Sequence, residues 1–123
     1  MESNEEQGAL AKVREYYRLV DQHDVPGLIA LFAEDAVYRR PGYKPMHGHT
    51  DLKAFYTEKR VIARGTHTLT TTVADGNRIA VNGDFHGVLK DGREVSLAFA
   101  DFFLLDQEHL FARRDTYFFS PMV

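Results

Sequence analysis

Apolar residues in the first half of the chain recur with the period of a helix. This spacing predicts a long helix over residues 5–23 and a short helix over residues 25–33, which Asp24 can cap. The apolar positions of the long helix are Leu10, Val13, Tyr17 and Val20. A third helix is predicted to begin near Thr50 and to end before Gly65.

The second half of the chain has the period of a strand. Residues 36–40 already alternate as a short strand, and a loop rich in Pro and Gly follows over residues 41–45. After Gly65, three turn signals divide the rest into four antiparallel strands. These signals are Asp75-Gly76, Asp91-Gly92 and, more weakly, residues 106–109. The sequence therefore predicts an α+β domain with its helices on one face of a curved sheet.

One ionisable residue, Asp101, lies within the otherwise apolar stretch of residues 95–105. A buried carboxylate without a partner costs several kcal/mol. Asp101 is therefore kept either by a structural partner, such as a tyrosine or an arginine, or because a reaction uses it.

The turn at Asp91-Gly92 predicts which residues lie beside Asp101. A two-residue turn pairs Lys90 with Arg93, and counting back along both strands places Asn82 opposite Asp101. The polar residues expected on the same side as Asp101 are Asn82, Asp84 and His86. Because the pKa of histidine lies near neutrality, His86 would be a natural proton shuttle beside Asp101; alone, it would be a partly exposed strand residue.

The other side of the strand that carries Asp101 is small and apolar. Its residues are Ser96, Ala98, Ala100, Phe102 and Leu104. This pattern suits packing against another sheet, and we expect a homodimer.

Composition limits the classes of function. A chain of 123 residues suits one domain, here residues 1–123. Its net charge of -3 comes from interspersed acidic and basic residues rather than from a basic stripe, so no nucleic-acid partner is expected. The chain has no cysteine, no signal-peptide pattern and no apolar run long enough to cross a membrane, and we expect a cytoplasmic protein without a membrane partner. His47 and His49 are neighbours in a loop, but this spacing is not a specific metal signature, and no metal or other cofactor is expected.

Two adjoining segments resemble the opening of the nuclear transport factor 2-like superfamily. They are YRLVDQHD, residues 17–24, and GLIALFAEDA, residues 27–36. This superfamily includes ketosteroid isomerase, limonene epoxide hydrolase and the SnoaL-like polyketide cyclases, and the likeness covers nearly the whole chain. It implies a cone-shaped α+β fold with three N-terminal helices on a strongly curved, mostly antiparallel sheet. The fold hosts enzymes, binding modules and scaffolds, so it does not define the activity.

The resemblance implies roles for four residues. Tyr17 stands where ketosteroid isomerase has its oxyanion-hole tyrosine, and Asp101 stands at the second oxyanion donor. Arg40 replaces the proton-abstracting aspartate, and because arginine does not deprotonate in proteins, steroid isomerisation by that route is disfavoured. SnoaL-like cyclases instead use an aspartate at the position of Asp101 as acid and base, with a histidine near the place of His86.

Limonene-type epoxide hydrolases use an Asp-Arg-Asp triad, which is incomplete here. Asp84 and Asp115 match the two carboxylates, but Asn82 replaces the arginine unless Arg40 or Arg113 supplies the charge. If the preceding turn is bulged, the resemblance implies that Arg113, Asp115 and Tyr117 face the pocket. A plain two-residue hairpin turns Arg114 inward instead, and both arrangements stay open.

We therefore expect a small cofactor-independent enzyme that isomerises or cyclises an apolar or aromatic molecule by proton transfer. Asp101 would be the acid and base, His86 would assist, Tyr17 would donate to a developing oxyanion, and Arg40 would hold an anionic group. The expected substrate-binding residues are Tyr38, Phe55, His67, Asn82, Asp84, Phe99, Phe103, Arg113, Asp115 and Tyr117. The alternatives are a lyase, an epoxide hydrolase, and a non-catalytic ligand-binding or dimeric scaffold domain.

Overall fold

Three helices lie against one face of a six-stranded sheet in the computed structural model, which describes residues 3–120. The helices are α1 (Asn4–Asp21), α2 (Val25–Ile29) and α3 (Gly48–Ala54), and a π-helical turn (Phe55–Lys59) continues α3. Asp24 caps α2 by accepting a hydrogen bond from the Gly27 N–H at 2.9 Å. The predicted α+β class is confirmed.

The sheet is antiparallel except for one pair of strands. The strands are β1 (Phe32–Arg39), β2 (Met46–His47), β3 (Ile62–Asp75), β4 (Arg78–Leu89), β5 (Glu94–Leu105) and β6 (Phe111–Phe118). They lie in the order β2-β1-β6-β5-β4-β3, and β1 runs parallel to β6. The predicted meander of four strands is confirmed as β3 to β6.

Two strands begin earlier in the chain than the sequence pattern predicts. β1 begins at Phe32, inside the predicted second helix, because Phe32 pairs with Phe111 across the parallel junction and is buried there. β3 begins at Ile62, before Gly65, because Ile62 pairs with Leu89. In both cases pairing with a distant strand overrides the local pattern.

The predicted register between β4 and β5 is wrong by one residue. The connection is a three-residue loop, in which Gly92 has a φ of 90°, and the Leu89 N–H donates to the Arg93 carbonyl at 2.8 Å. Val81 therefore lies opposite Asp101. A shift of one residue turns every side chain of β4 to the other face of the sheet.

The turn between β5 and β6 is longer than a two-residue hairpin. Leu105 pairs with Phe111, and the register then shifts by one, so that Leu104 pairs with Arg113 and Asp101 with Thr116. The longer loop and the bulge together preserve the facing that a plain hairpin would give. Arg114 consequently faces the helices, and Arg113 faces outward.

The core fills the space between the helices and the concave face of the sheet. Its aromatic residues are Tyr16, Tyr17, Phe32, Tyr38, Phe55, Phe85, Phe99, Phe103 and Phe111. Within residues 3–120, no helix is long and apolar enough to span a membrane.

Candidate functional site

Asp101 is fully buried and is surrounded by donors. The Tyr17 hydroxyl donates to Oδ2, the Thr116 hydroxyl donates to Oδ1, and Nη2 of Arg114 lies 2.8 Å from Oδ2. The positions of these partners follow from the periods of their elements. Arg114 and Thr116 are two residues apart on β6 and therefore share a face, and Tyr17 faces the sheet from α1. The carboxylate is therefore held by three hydrogen bonds, and the one from Arg114 is also a buried ion pair.

A line of hydroxyl groups joins this carboxylate to Arg40. Nη1 of Arg40 donates to the Tyr38 hydroxyl at 3.1 Å, and that hydroxyl lies 3.0 Å from Oγ1 of Thr116. Because Thr116 donates its proton to Asp101, the Tyr38 hydroxyl must donate to Thr116. All hydrogen bonds in this line point from Arg40 toward Asp101.

Arg114 is the centre of the buried tyrosine cluster. Its Nη1 donates to the hydroxyls of Tyr16 at 2.6 Å and Tyr56 at 3.2 Å, and the guanidinium lies over the rings of Tyr16 and Tyr38. Burial lowers the pKa of Arg114, but the charge of Asp101 and the tyrosine hydroxyls outweigh it and raise the pKa well above its ordinary value. Arg114 therefore stays charged.

Tyr17 stays protonated beside Asp101. Burial raises its pKa well above the ordinary tyrosine value, and the negative charge of Asp101 adds to this effect. Its hydroxyl proton is already donated to Asp101. The oxyanion donor that the resemblance assigns to Tyr17 is thus occupied by a protein group.

His67 on β3 forms a second acid-base pair with Asp21 at the end of α1. Nδ1 of His67 lies 2.6 Å from Oδ1 of Asp21, and the His67 backbone N–H donates to Oδ2 at 2.9 Å. Since a carboxylate only accepts, Nδ1 carries the proton, and Nε2 has no hydrogen-bond partner among residues 3–120. The imidazole packs against the rings of Phe85 at 4.7 Å and Tyr17 at 5.2 Å between centroids.

Burial lowers the pKa of His67, and the hydrogen bond and charge of Asp21 only partly offset this effect. The nearby charges of Arg60 and Arg114 lower it further. His67 is therefore neutral at pH 7, with a lone pair on Nε2. A neutral imidazole held by a carboxylate is suited to accepting a proton.

A small cavity opens between these groups, with a volume of about 30 Å³. This volume accommodates one or two water molecules. Its lining residues are Arg40, Ile62, His67, Phe85, Leu97, Phe99, Arg114, Thr116 and Phe118. Asp101 is not among them, so its carboxylate does not reach the cavity wall.

The chain matches a protein-family model over most of its length. A model described as "SnoaL-like domain" matches residues 13–113. The chain belongs to the SnoaL-like domain family. The nuclear transport factor 2-like fold is shown by an NTF2-like protein of Burkholderia pseudomallei, which has a TM-score of 0.81 and 23% identity over 90% of both chains.

Solved structures agree with this SnoaL-like assignment at the level of the fold. A putative polyketide cyclase from Xanthomonas campestris has a TM-score of 0.84 and 20% identity, covering 93% of this chain and 92% of that one. SalBIII, an epoxide hydrolase/cyclase-like enzyme of salinomycin pyran ring formation, has a TM-score of 0.83, 21% identity and 94% coverage of both chains. A putative ketosteroid isomerase from Kribbella flavida has a TM-score of 0.78 and 22% identity, covering 97% and 83%. Identities this low show the fold alone.

The polar cluster predicted for β4 does not lie in this SnoaL-like interior. Asn82, Asp84 and His86 are exposed on the convex face, because the three-residue loop shifts the register. Nδ1 of His86 lies 2.6 Å from the Ser96 hydroxyl, on the side of β5 opposite to Asp101. His86 therefore cannot assist Asp101.

The residues predicted from β6 also face outward. Arg113, Asp115 and Tyr117 lie on the convex face, where Asp115 accepts hydrogen bonds from Arg39 at 2.8 Å and from Arg113 at 3.1 Å. The two carboxylates proposed for an epoxide-hydrolase triad, Asp84 and Asp115, are thus both outside the cone. The triad is not formed in the interior.

The remaining predicted site residues lie on the concave side. Those buried in the core are Tyr17, Tyr38, Phe55, Phe99, Asp101 and Phe103, and those on the cavity wall are Arg40, His67 and Phe99. Within the described part of the chain, no group of three or more histidine, aspartate or glutamate side chains is placed to hold a metal ion.

Several residues of the SnoaL-like site were not predicted from the sequence. Asp21 lies one helical turn after Tyr17, so the helix period places both on one face of α1. Thr116 shares its facing with Arg114 by strand alternation. For Tyr16, Tyr56 and Arg60 no local signal separates a site residue from an ordinary core or surface residue.

Proposed function

We propose that this SnoaL-like chain catalyses a proton transfer on a small, largely apolar molecule, with His67 as the general base. The observation that carries the proposal is the His67–Asp21 pair on the cavity wall, in which Nε2 of the neutral imidazole has no hydrogen-bond partner among the described residues. In this scheme Asp21 fixes the tautomer and orientation of His67. Isomerisation and cyclisation both begin with such a proton removal, so the site supports that class of reaction.

Arg40 complements this role by stabilising negative charge. Its guanidinium lines the same cavity and forms one hydrogen bond with a protein group, Tyr38, among the described residues. An enolate or phenolate formed when His67 removes a proton would be held by the remaining Arg40 donors. Asp101 acts here as a positioning residue, since it orients Tyr17, Arg114 and Thr116 without touching the cavity.

Substrate entry requires a side chain to move, because the cavity is small. The Phe118 ring stands 5.2 Å from the Arg40 guanidinium, measured to the ring centroid, and lies at the last position of β6. It is half-buried and lines the cavity, so a change of its rotamer would enlarge the space beside Arg40. Changes of side-chain rotamer at a binding site are common when a ligand or partner binds.

The proposal is tested with 5-nitrobenzisoxazole, a general probe of proton abstraction. A base removes the proton on C3, the electron pair forms a nitrile as the N–O bond breaks, and the coloured phenolate is released. We expect measurable turnover, and His67→Gln lowers kcat/KM about 100-fold or more. The matched control is His86→Gln, which changes an exposed histidine and leaves kcat/KM unchanged.

The pH profile distinguishes catalysis by His67 from adventitious reaction. Because burial lowers the pKa of His67, the rate declines at a lower pH on acidification than it would for an exposed histidine. In Asp21→Asn the residual rate declines at still lower pH, because Asp21 raises the pKa of His67. Full activity in His67→Gln, or an equal loss in His86→Gln, would contradict the proposal.

A further inference from the structure

The interior of the cone contains more positive than negative charge. Arg40, Arg60 and Arg114 are all buried there or nearly so, and Asp101 is the one carboxylate that pairs with any of them within residues 3–120. Asp21 is engaged by His67. Burying a charge without a counter-charge is unfavourable, so this arrangement calls for an anion.

Arg40 is held in a geometry that presents its donors. The guanidinium lies 5.4 Å from the Phe55 ring centroid and 5.2 Å from that of Phe118. Neither ring accepts a conventional hydrogen bond, so these contacts leave the N–H donors of the guanidinium available for a ligand. Apart from the contact with Tyr38, no protein hydrogen bond of this guanidinium occurs in the described chain.

Arg114 contributes a second donor on the same cavity wall. Its Nη1 and Nη2 atoms bind Tyr16, Tyr56 and Asp101, but Nε is buried and has no partner within residues 3–120. Buried N–H groups are almost always paired. Arg114 lines the cavity together with Arg40, and an acceptor group of a ligand would satisfy its unpaired Nε–H.

Arg60, which directly follows the π-helical turn, adds a third buried cation. Burial lowers the pKa of Arg60, the neighbouring Tyr16 and Tyr56 partly offset this effect, and the positive charge of Arg40 lowers the pKa further, as like charges do. Among the described residues, Arg60 has no carboxylate partner within ion-pair distance. An anion beside Arg40 relieves this repulsion.

We propose that the ligand of this cavity is an aromatic or aliphatic carboxylate, or a comparable monoanion, whose charged group binds to Arg40 and the free Nε–H of Arg114. Once Phe118 has moved aside and enlarged the cavity, the apolar part of the ligand contacts the walls formed by Phe85 and Phe99. This inference rests on the site of the proposed function and names the class of its substrate.

The test compares benzoate with its neutral analogue benzamide by isothermal titration calorimetry and by thermal unfolding at constant ionic strength. Benzoate binds and raises the melting temperature, because it binds the folded state, whereas benzamide binds at least tenfold more weakly. Arg40→Gln weakens benzoate binding at least tenfold, and Arg40→Lys weakens it less. Arg60→Gln, which acts at a distance, weakens binding a few-fold.

The matched control is Arg64→Gln, which removes an exposed arginine of β3 and leaves benzoate binding unchanged. Without benzoate, Arg60→Gln keeps or raises the melting temperature, because it removes a buried cation that has no counter-charge. Equal binding of benzoate and benzamide, no binding of either, or no effect of Arg40→Gln would overturn the inference.

One further variant separates this inference from the proposed function. His67→Gln retains benzoate binding, because the carboxylate is held by arginines rather than by the imidazole. Benzoate binding together with no turnover of 5-nitrobenzisoxazole would defeat the catalytic proposal and leave the anion site established. Turnover without selective benzoate binding would do the reverse.

Discussion

At the residue scale, Asp101 is a buried carboxylate whose partners are all supplied by the protein. The side chain is fully buried, and Arg114, its ion-pair partner, is buried with it. Removing one member of such a pair leaves the other charge uncompensated, which is far more costly than removing both. The sequence pattern identified Asp101 as unusual and favoured a catalytic role over a structural one, whereas its contacts in the structure are all with protein groups.

We predict that Asp101→Asn lowers the free energy of unfolding by about 3–5 kcal/mol, measured by urea denaturation. The amide keeps the shape but loses the charge that balances Arg114. The double variant Asp101→Asn with Arg114→Met should lose less than the sum of the two single losses, because it leaves neither charge unpaired. Near-wild-type stability in Asp101→Asn would show that the ion pair does not stabilise the fold.

The histidines of two neighbouring strands, His67 and His86, show that the face of the sheet on which a residue lies decides whether it can act in the cavity. His67 and His86 are equally plausible proton carriers by composition, and only the strand register places one inside and the other outside. A single additional loop residue between β4 and β5 reverses the facing of His86. Sequence patterns give the period of a strand reliably, but a turn of ambiguous length leaves its phase undetermined.

At the element scale, glycines of β3 and β4 allow the sheet to lie close to the aromatic core. A Cβ atom on Gly87 would lie 2.5 Å from Cζ of Phe85 and would also meet the backbone carbonyl of Arg64. A Cβ atom on Gly65 would lie 2.6 Å from another atom of the same Phe85 ring. Phe85 therefore lies flat against backbone that carries no side chain, and it forms the wall beside His67.

We predict that Gly87→Ala destabilises the protein by about 1–3 kcal/mol, because the added methyl group overpacks Phe85 and the β3 backbone. The matched control is Gly8→Ala in α1, where the nearest atom to the new methyl group is a His109 ring atom at 3.4 Å. That change should stabilise the protein by about 0.5–1 kcal/mol, since alanine favours the helix. Thermal and urea unfolding would measure both, and effects of the same sign would contradict this packing argument.

The elements themselves were largely predictable, whereas the pairing between them was not. The three helices and the four long strands follow from period and turn residues, and the Asp24 cap follows from a local rule. The early start of β1 at Phe32 depends on its parallel pairing with Phe111, more than 70 residues later in sequence. No local pattern contains that pairing, and the Asp101 cluster depends on it through Tyr38 and Thr116.

At the scale of the whole molecule, the convex face of the sheet remains partly apolar. Val73, Phe102 and Tyr117 are each more than half exposed, and the rings of Phe102 and Tyr117 pack edge to face with centroids 5.7 Å apart. They line a groove of about 580 Å³ whose charged residues are Asp75, Arg78, Arg113 and Asp115. Apolar surface of this kind is typical of an interaction site.

A second copy of the chain is the occupant that this face suits best. In a two-fold symmetric contact, each residue of one copy can meet its complement on the other. The groove has two acidic and two basic residues flanking an apolar centre, so each copy offers both partners of an ion pair to the other. The expected homodimer stays a prediction, and the charge pattern favours it over a partner of a single charge sign.

We predict that the chain is a dimer at micromolar concentration, with about twice the monomer mass of 14.1 kDa in sedimentation velocity. Phe102→Lys converts it to a monomer, because the substitution places two like charges near the centre of the symmetric contact. The matched control is Val61→Lys, another exposed apolar residue, which borders a separate cleft near the π-helical turn and leaves the dimer intact. A monomeric wild type, or a Phe102→Lys variant that remains dimeric, would show that the convex face does not bind a second copy. Because His67 and Arg40 lie on the opposite face of the sheet, monomeric Phe102→Lys should still bind benzoate, which separates the role of this face from that of the cavity.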